Sequence, residues 1–348
     1  MKILIIGLGS IGQRHLRNLS GYLGDSAEFL AYRARGLQRT FSDDMKIREG
    51  VSLEEEYHIK SFHDLDEALA QRPSVAYVTN ITSQHIHCAL KAVRAGCDVF
   101  MEKPISDSLE GVRELTREAA ERGRVVFVGF QNRFHPCLAR VRELVRQPRF
   151  GKVISVQSEV GERLTTMHTY EDYAGTYMAR KDQGGGVIAN QQIHELDYLQ
   201  WIFGRPEKVA AFCGKNSSLP IDVEDYNDAV FWVNGDLGSF PVYAHADFFQ
   251  YPPKRACRVV SENGWIEADL LAATVTAACG DEVKRERFPG FTRNQMFLDE
   301  MKAFLECVET RRQDMLTLED GAVSLRMACA AKAASAENRV VRMEEVVI

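Results

Sequence analysis

The chain has 348 residues and a composition typical of soluble globular proteins, with 45% hydrophobic and 26% charged residues. Because single hydrophobic cores stop growing near ~250–300 residues, this length predicts two domains. The net charge of −6 argues against a protein that binds nucleic acid through a broad basic face.

Eight cysteines are scattered along the chain without a Cys-x-x-Cys pair. This pattern favours reduced, mostly buried thiols over a disulfide framework or a zinc site, and we expect no bound metal. No apolar run approaches the ~20 residues that span a bilayer, and the chain opens on a strand-like segment instead of a signal peptide. These features predict a cytoplasmic protein that does not bind membranes.

The first predicted element is a strand over 2–6, which ends at a glycine-rich turn. The turn contains Gly7, Leu8, Gly9, Ser10, Ile11 and Gly12 and leads into a helical pattern. A G-x-G-x-x-G sequence between a strand and a helix is typical of dinucleotide binding, because the glycines permit a tight turn and a close approach of the pyrophosphate. We predict that these six residues bind the cofactor at the helix N-terminus.

The second predicted strand, 28–32, is not followed by the acidic residue that usually binds the ribose 2′-hydroxyl of NAD. Arg33 and Arg35 follow it instead. Because arginine suits bidentate contact with phosphate, the sequence favours NADP(H) over NAD(H), with Arg33 at the adenosine ribose or its phosphate. Solvated arginines, or arginines stacked on the adenine, are the alternative, so NAD(H) stays open.

Strand and helix patterns then alternate. Predicted strands at 73–78, 97–101 and 125–129 are separated by helical patterns at 85–93 and 109–122, which predicts a parallel, doubly wound sheet. Ligands of such sheets bind at the carboxyl ends of the strands. The candidate cofactor-binding residues at or just beyond those ends are Thr79, Asn80, Thr82, Glu102, Lys103 and Asn132.

The second half is predicted to contain an antiparallel sheet followed by two helices. Turn signals such as Asn-Gly separate its strand-like segments. The segments lie at 152–160, 208–213, 228–233, 242–248 and 255–260, with helices expected at 295–310 and 318–336. We predict a dinucleotide-binding domain over 1–123 and a substrate-binding domain over 124–348, with the C-terminal helices able to pack back on the first domain.

A glycine triplet at 184–186 leads into a predicted helix from about Val187 to Phe203. Asn190, His194 and Asp197 are spaced i, i+4, i+7, so they share one face near the start of that helix. A histidine near a hydride acceptor is suited to general acid–base chemistry. This spacing makes His194 a candidate catalytic residue, with a satisfied structural histidine as the alternative that the family resemblance described below disfavours. Asp197 could orient His194 or stiffen the helix.

The segment before the triplet, 168–181, is dense in Tyr, Asp and Arg. These residue types suit hydrogen bonding to polyols, stacking and anion contact. Tyr177 and Arg180 are candidate substrate ligands there, and Arg133, Arg163 and Arg180 are candidates for a substrate phosphate or carboxylate. For any single residue of the segment, a solvated loop is the alternative.

The chain resembles the Gfo/Idh/MocA family of nicotinamide-dependent oxidoreductases. The matching stretches are 7–17, 82–89 leading into Glu102-Lys103-Pro104, 129–136 and 184–204. The resemblance implies a Rossmann domain followed by a larger α/β domain, whose open, mostly antiparallel sheet often forms a homodimer or homotetramer. It also implies a cofactor contact at His85 and a cis bond before Pro104. Family members mostly oxidise or reduce sugars, inositols or nucleotide-linked sugars.

Lys103 is the second predicted catalytic residue. A lysine at the carboxyl end of a buried strand can hydrogen-bond the reacting oxygen and stabilise its negative charge; a structural ion pair with Glu102 is the alternative. We therefore expect a dehydrogenase or reductase that transfers hydride between nicotinamide and a hydroxyl or carbonyl carbon of a small carbohydrate-type substrate. Lys103 would polarise the oxygen and His194 would transfer its proton.

One position departs from the family pattern. Many members carry Asp four residues before this histidine, where the chain has Asn190. Asparagine cannot accept a proton, although it can bind a sugar hydroxyl, so Asn190 is a candidate substrate ligand. The departure keeps two other hypotheses open, an NAD-dependent glycosidase of the same family and a non-catalytic NAD(P)-binding regulatory protein.

Overall fold

The computed structural model describes residues 1–34, 36, 39–42, 46–167 and 170–347. These residues form two compact units, which are residues 1–130 with 297–322, and residues 131–296 with 323–347. The predicted boundary at residue 123 stays a prediction. In the described part of the chain, no helix is long and apolar enough to cross a membrane.

Short strands and helices alternate through the first 130 residues. In chain order they are β1 (Lys2–Ile6), α1 (Ser10–Leu23), β2 (Glu28–Tyr32), β3 (Thr40–Phe41), β4 (Ile47–Arg48), α2 (Leu53–Glu56), β5 (Lys60–Phe62), α3 (Leu65–Leu69), β6 (Val75–Val78), α4 (His85–Arg94), β7 (Asp98–Glu102), α5 (Val112–Glu121) and β8 (Val126–Gly129). Six of the strands form a parallel sheet in the order β5-β2-β1-β6-β7-β8. The predicted doubly wound sheet is confirmed.

The remaining chain contains longer strands and two longer helices. In chain order its elements are α6 (Pro136–Leu144), β9 (Val153–Gly161), α7 (Leu164–Met167), α8 (Ile193–Phe203), β10 (Pro206–Gly214), β11 (Tyr226–Gly235), β12 (Gly238–Asp247), β13 (Lys254–Ser261), β14 (Gly264–Asp269), β15 (Thr274–Cys279), β16 (Glu282–Arg287), α9 (Arg293–Thr310), α10 (Leu318–Glu337) and β17 (Val341–Arg342). A nine-stranded sheet has the order β16-β15-β14-β13-β9-β12-β11-β10-β17. All its neighbours are antiparallel except β9 and β12, which confirms a mostly antiparallel sheet.

An aromatic core lies beneath the parallel sheet of the first unit. The rings of Tyr77 and Phe100 stack at 4.7 Å, and Phe304 from α9 meets both at 5.5–5.6 Å. All three residues are fully buried. Strands β6 and β7 are buried along their whole length, as expected for parallel strands covered on both faces. This packing fixes the carboxyl ends of the strands, where the candidate site residues lie.

The large sheet of the second unit has one buried and one exposed face. Along β11, Ala229, Phe231 and Val233 are buried, whereas Val230 and Trp232 between them are exposed. This alternation is the signature of a strand with one solvated face. Helix α8 packs on the buried face, where the Tyr198 hydroxyl lies 2.7 Å from the hydroxyl of Ser158 on β9.

Candidate active site

The glycine-rich turn connects β1 to α1 in the first unit. Gly7 has a φ of +101°, and a Cβ there would lie 2.8 Å from the backbone of Asn80. A Cβ on Gly12 would collide with the carbonyl of Gly7 and would lie 2.7 Å from the Thr79 hydroxyl. A Cβ on Gly9 would meet no atom of the described residues within 4 Å. The turn therefore packs closely at Gly7 and Gly12 and is open at Gly9.

Helix α1 begins directly after this open glycine. Over its described length it has neither a capping side-chain hydrogen bond nor an acidic residue in its first turn. Its first N–H groups and the positive end of its dipole therefore form an anion site. Leu8 is buried, and Ser10 and Ile11 are half-buried. This arrangement fits the pyrophosphate of a dinucleotide.

The loop after β6 packs against the glycine-rich turn. The Thr79 hydroxyl donates a hydrogen bond to the carbonyl of Gly7 at 2.6 Å. The Asn80 side-chain amide lies 3.3 Å from the sulfur of Cys88. Thr82 is buried at the start of a short 3₁₀ turn. These contacts bring the predicted residues of this loop to the same edge of the sheet as the glycines.

The Glu-Lys-Pro tripeptide follows β7 at that edge. One carboxylate oxygen of Glu102 lies 2.8 Å from Nε2 of His15, and the other accepts a hydrogen bond from the backbone N–H of Lys103 at 3.2 Å. The Lys103–Pro104 bond is cis, as the family resemblance implies. His85 contacts the carbonyl oxygen of Pro104 at 2.8 Å. Lys103 itself is half-buried.

Arg33 lies directly after β2, but its guanidinium is already engaged. It is 7% exposed and forms an ion pair with Glu54 from α2. The Ser61 hydroxyl donates to the same carboxylate at 2.8 Å. Although burial opposes the shift, the hydrogen bonds from Ser61 and Arg33 lower the pKa of Glu54 below its ordinary value. Arg35, the second predicted arginine, lies outside the described residues.

In the second unit, the glycine triplet lies in a tightly packed corner. A Cβ on Gly185 would lie 2.5–2.6 Å from the carbonyl oxygens of Tyr177 and Met178. Gly186 has a φ of +109°, and a Cβ there would collide with the carboxylate of Glu224. Sterics therefore exclude a side chain at Gly185, and the positive φ disfavours one at Gly186, so the turn that leads to the helix needs glycine at both positions.

We expect Gly185→Ala to destabilise the protein by about 1–3 kcal/mol, because its Cβ would overlap the backbone carbonyl oxygens of Tyr177 and Met178, which cannot move aside as the end of a side chain can. Thermal unfolding should show a midpoint lowered by several degrees. Gly175→Ala is the matched control, because Gly175 has no positive φ and a Cβ there would meet no described atom within 4 Å. Equal midpoints for the two variants would contradict the steric explanation.

The predicted helix over 187–203 has an irregular start. Residues Ile188–Gln192 form a π-helical turn, and the α-helix begins at Ile193. Such turns are rare and often occur at functional sites. Asn190, within the turn, donates a hydrogen bond from its side-chain amide to the carbonyl of Gly186 at 2.9 Å. His194 follows in the first turn of α8 and is 5% exposed.

Buried amides hold the π-helical turn in place. The Gln192 side chain donates to the carbonyl of Ala244 on β12 at 3.1 Å and accepts a hydrogen bond from Asn227 on β11 at 2.6 Å. Gln192 and Asn227 are both fully buried. The turn that carries Asn190 is therefore bonded to two neighbouring strands of the sheet.

Asn132 and Arg133 lie on a buried 3₁₀ turn in the second unit. The Arg133 guanidinium donates two hydrogen bonds to the carboxylate of Asp197 on α8, at 2.8 and 2.7 Å. Both side chains of this pair are almost completely buried, and Arg133 also lies over the ring of Trp201. Arg133 therefore links its turn to α8 through a bidentate ion pair.

From residue 173 onward, the polar segment before the triplet contains short 3₁₀ turns. Tyr177 is half-buried at the start of the turn Tyr177–Ala179. Arg180 is exposed, and its side chain lies 3.5 Å from the carboxylate of Asp182. Arg163 lies over the ring of Tyr251 at 4.9 Å. His168 and Thr169 lie outside the described residues.

Within the described ranges, no group of His, Cys, Asp or Glu side chains has the arrangement of a metal site.

Sequence reasoning does not identify two residues that the structure brings to this site. His15 lies in α1, three residues after Gly12. This spacing is a signal that could have placed His15 on the same buried side of the helix as Gly12. Glu54 gives no signal, because nothing in an acidic run at 54–56 distinguishes the residue that pairs with Arg33.

Two family models match the chain. The model described as "Oxidoreductase family, NAD-binding Rossmann fold" matches residues 1–130, and the GFO/IDH/MocA C-terminal domain matches residues 138–267. Among curated proteins, the chain is 27% identical to myo-inositol 2-dehydrogenase of Thermotoga maritima, with 100% of both chains covered. It is 22% identical to scyllo-inositol 2-dehydrogenase (NAD(+)) of Bacillus subtilis, with 95% and 93% covered.

Solved structures share the fold over the same length. A levoglucosan dehydrogenase in complex with NADH and levoglucosan superposes with a TM-score of 0.83, at 14% identity and with 99% of both chains covered. At this identity the likeness establishes the fold.

Proposed function

The chain belongs to the GFO/IDH/MocA family of oxidoreductases with an NAD-binding Rossmann fold, and from that premise we propose that it oxidises or reduces a ring carbon of a cyclitol or cyclic sugar. One observation carries the proposal. Lys103 lies on the same sheet edge as the open glycine at residue 9 and the uncapped start of α1. That edge combines an anion site with a cationic group that can contact a reacting oxygen.

Different residues of the first unit bind the cofactor and contact the reacting oxygen of the substrate. The N–H groups at the start of α1 hold the pyrophosphate, and Thr79 keeps the turn closed through its bond to the Gly7 carbonyl. A bound nicotinamide supplies the hydride donor or acceptor. The Lys103 ammonium hydrogen-bonds the substrate oxygen and stabilises the negative charge that develops when its proton leaves.

Candidate groups for the proton transfer and the substrate contacts lie between residues 177 and 194. His194 takes the proton of the hydroxyl during oxidation and returns it during reduction. Asn190, Tyr177 and Arg180 bind the other hydroxyls of the substrate. Arg133 is better suited to positioning α8 than to binding substrate, because its guanidinium already donates two hydrogen bonds to the carboxylate of Asp197.

The relatives support a cyclic polyol as the substrate class. The names of two curated relatives specify inositols, and one solved relative holds levoglucosan. These compounds share a ring that carries several secondary hydroxyls. A site with asparagine, tyrosine, arginine and histidine side chains matches such a ligand, because each can donate or accept at a hydroxyl.

The experiment is a turnover assay with a panel of inositols and cyclic sugars, read by the absorbance of the reduced nicotinamide. We expect net formation of reduced cofactor with at least one cyclic polyol. Cofactor binding without turnover across the panel would support the regulatory alternative. Cleavage of an aryl glycoside without net reduction of the cofactor would support the glycosidase alternative.

For the cofactor we propose NAD(H), although the sequence alone favours NADP(H). The Arg33–Glu54 pair carries this choice, because a carboxylate already satisfies the guanidinium that would otherwise attract a 2′-phosphate. The pair has no net charge, and the Glu54 carboxylate is partly accessible, with 29% of its side chain exposed. A 2′-phosphate near this pair would meet repulsion from Glu54, whereas a ribose hydroxyl would not.

We expect Glu54→Gln to strengthen NADP+ binding about tenfold, which is ~1.4 kcal/mol, and to leave NAD+ binding within about twofold. Titration calorimetry of the wild type and the variant measures both affinities without any substrate. Glu55→Gln is the matched control, since it removes an equal charge from the exposed neighbouring position. A wild type that prefers NADP+ would contradict the proposal.

We also propose that the exposed face of the large sheet joins copies of this chain into a homodimer or homotetramer. Phe212, Val230, Trp232 and Tyr243 point outward from three neighbouring strands, with 68%, 38%, 37% and 44% of their surfaces exposed. Contiguous apolar surface of this kind is typical of protein interfaces.

Trp232→Glu should shift the protein toward the monomer, because it places a charge within the proposed interface. Sedimentation velocity measures the change. Leu271→Glu is the control, since it adds the same charge at an exposed turn between β14 and β15. A wild type that sediments as a monomer would overturn this proposal.

A further inference from the structure

Two buried histidines hold the residues on either side of Lys103. His15 from α1 is 0% exposed and bonds to the carboxylate of Glu102, the residue before Lys103. His85 from α4 is 2% exposed and bonds to the carbonyl of Pro104, the residue after it. The two imidazoles therefore fix the backbone of the lysine from both directions.

The contact on the His15 side extends to Lys103 itself. One oxygen of the Glu102 carboxylate lies 2.8 Å from Nε2 of His15, and the other accepts the backbone N–H of Lys103 at 3.2 Å. Nδ1 of His15 has no hydrogen-bond partner among the described residues. We assign Nε2 as the donor to the carboxylate, because a proton on Nδ1 would be a buried N–H without an acceptor among the described residues.

The ring of His15 is enclosed by aromatic side chains. Its centroid lies 4.8 Å from Phe100, 5.4 Å from Tyr77 and 6.0 Å from Phe297. A polar pair in such a core is not needed for stability, because apolar residues of equal volume are often as stable or more so. The pair does, however, fix one orientation of the Glu102 carboxylate, and with it the Lys103 amide.

The His85 ring connects the loop after β7 to the loop after β6. Nδ1 of His85 lies 2.8 Å from the Pro104 carbonyl, and Nε2 lies 3.1 Å from the carbonyl of Asn80 after β6. Burial lowers the pKa of His85 below its ordinary value, against the opposing effect of these two carbonyls. We assign Nδ1 as the donor, because its contact with the Pro104 carbonyl is the shorter of the two.

We propose that His15 and His85 are positioning residues for Lys103, which rests on the proposed role of Lys103 in hydride transfer. Lysine is a point charge on a flexible four-carbon stem. Its ammonium can meet a reacting oxygen reproducibly only when its backbone is fixed, and an error of about 1 Å in such a group can cost on the order of 100-fold in rate.

The test compares variants that keep each donor with variants that remove it. The amide of His15→Gln can replace the Nε2 donor, and the amide of His85→Asn can replace Nδ1. His15→Met and His85→Leu remove the donors at similar volume. We expect kcat to fall at least about tenfold in the two apolar variants and to stay within about threefold in the two amide variants. KM should change little in all four, and NAD+ affinity should change little in the two His15 variants.

Hydrogen exchange provides a readout that does not depend on activity. The Lys103 amide is bonded to the carboxylate that His15 holds, so His15→Met should accelerate exchange in the peptide around β7, while His15→Gln should not. His87→Leu is the control, because His87 is exposed on the same helix as His85.

The outcomes separate the two proposals. An inactive wild type, with faster exchange around β7 in His15→Met but not in His15→Gln, would contradict the proposed function and still support the positioning of Lys103 by His15. An active wild type, with apolar variants that match the amide variants in both kcat and exchange, would overturn the positioning role. If the apolar variants lose NAD+ affinity and also unfold at a lower temperature, the positioning role would be overturned as well, because the histidines would then be structural.

Discussion

Lys103→Met should reduce turnover by about 10³-fold while NAD+ affinity changes less than about threefold. Removal of one preorganised donor to a developing oxyanion costs about 10²–10³ in rate. Lys103 lies at the end of a completely buried strand, next to the anion site of the glycine-rich turn. Steady-state kinetics with the best cyclic polyol, together with titration of NAD+, measures the two quantities separately.

Lys103→Arg distinguishes a geometric role from a purely electrostatic one. It keeps the positive charge but replaces a compact ammonium with a planar fork. We expect this variant to stay impaired by at least about tenfold. Lys60→Met is the control for a lost lysine, because Lys60 is exposed in the same unit. Full activity of Lys103→Met would contradict the catalytic role, and loss of NAD+ binding with loss of the fold would make Lys103 structural.

Local signals explain why most of the first unit could be predicted from sequence. The strand at 28–32 coincides with β2, because a short apolar and aromatic run between Glu28 and Arg33 has a clear pattern. Sequence reasoning does not identify β16, whose six residues include five charged ones and are almost all exposed. Such a strand lies at the edge of its sheet, where charge replaces the alternation that marks buried strands.

The candidate site also contains a part that the sequence predicts and a part that it does not. The glycine-rich turn and the Glu-Lys-Pro tripeptide are local motifs, so their positions at the sheet edge could be predicted. The residues that pair with these motifs from distant parts of the chain could not be predicted. Glu54 pairs with Arg33 from 21 residues away, and His15 meets Glu102 across 87 residues. These pairs depend on how helices cross the sheet, which no local pattern in one sequence records.

The π-helical turn changes the interpretation of Asn190. From sequence, Asn190 is an asparagine in place of a proton-transferring aspartate. In the structure its amide donates to the Gly186 carbonyl at 2.9 Å, a carbonyl that also accepts the backbone N–H of Asn190 at 3.0 Å. A carboxylate at this position would place an anionic oxygen beside that carbonyl and would lose the hydrogen bond. The turn is therefore built around an amide.

We accordingly expect Asn190→Asp to lower activity or stability and not to create a second proton-transfer group. His194→Gln should reduce turnover by about 10²–10⁴-fold, the usual contribution of general acid–base catalysis. His87→Gln, at an exposed site, should have no effect.

The pH dependence gives the sharper comparison. If His194 is the base for oxidation, kcat/KM should rise with pH as its imidazole loses a proton, because only the neutral ring can accept one. His194→Gln should abolish that rise, and the wild-type profile should contain no ionisation from residue 190. An Asn190→Asp variant with higher activity and a new acidic ionisation would show that the site lacks a carboxylate. Unchanged or lower activity without that ionisation would support a reaction in which one histidine carries the proton.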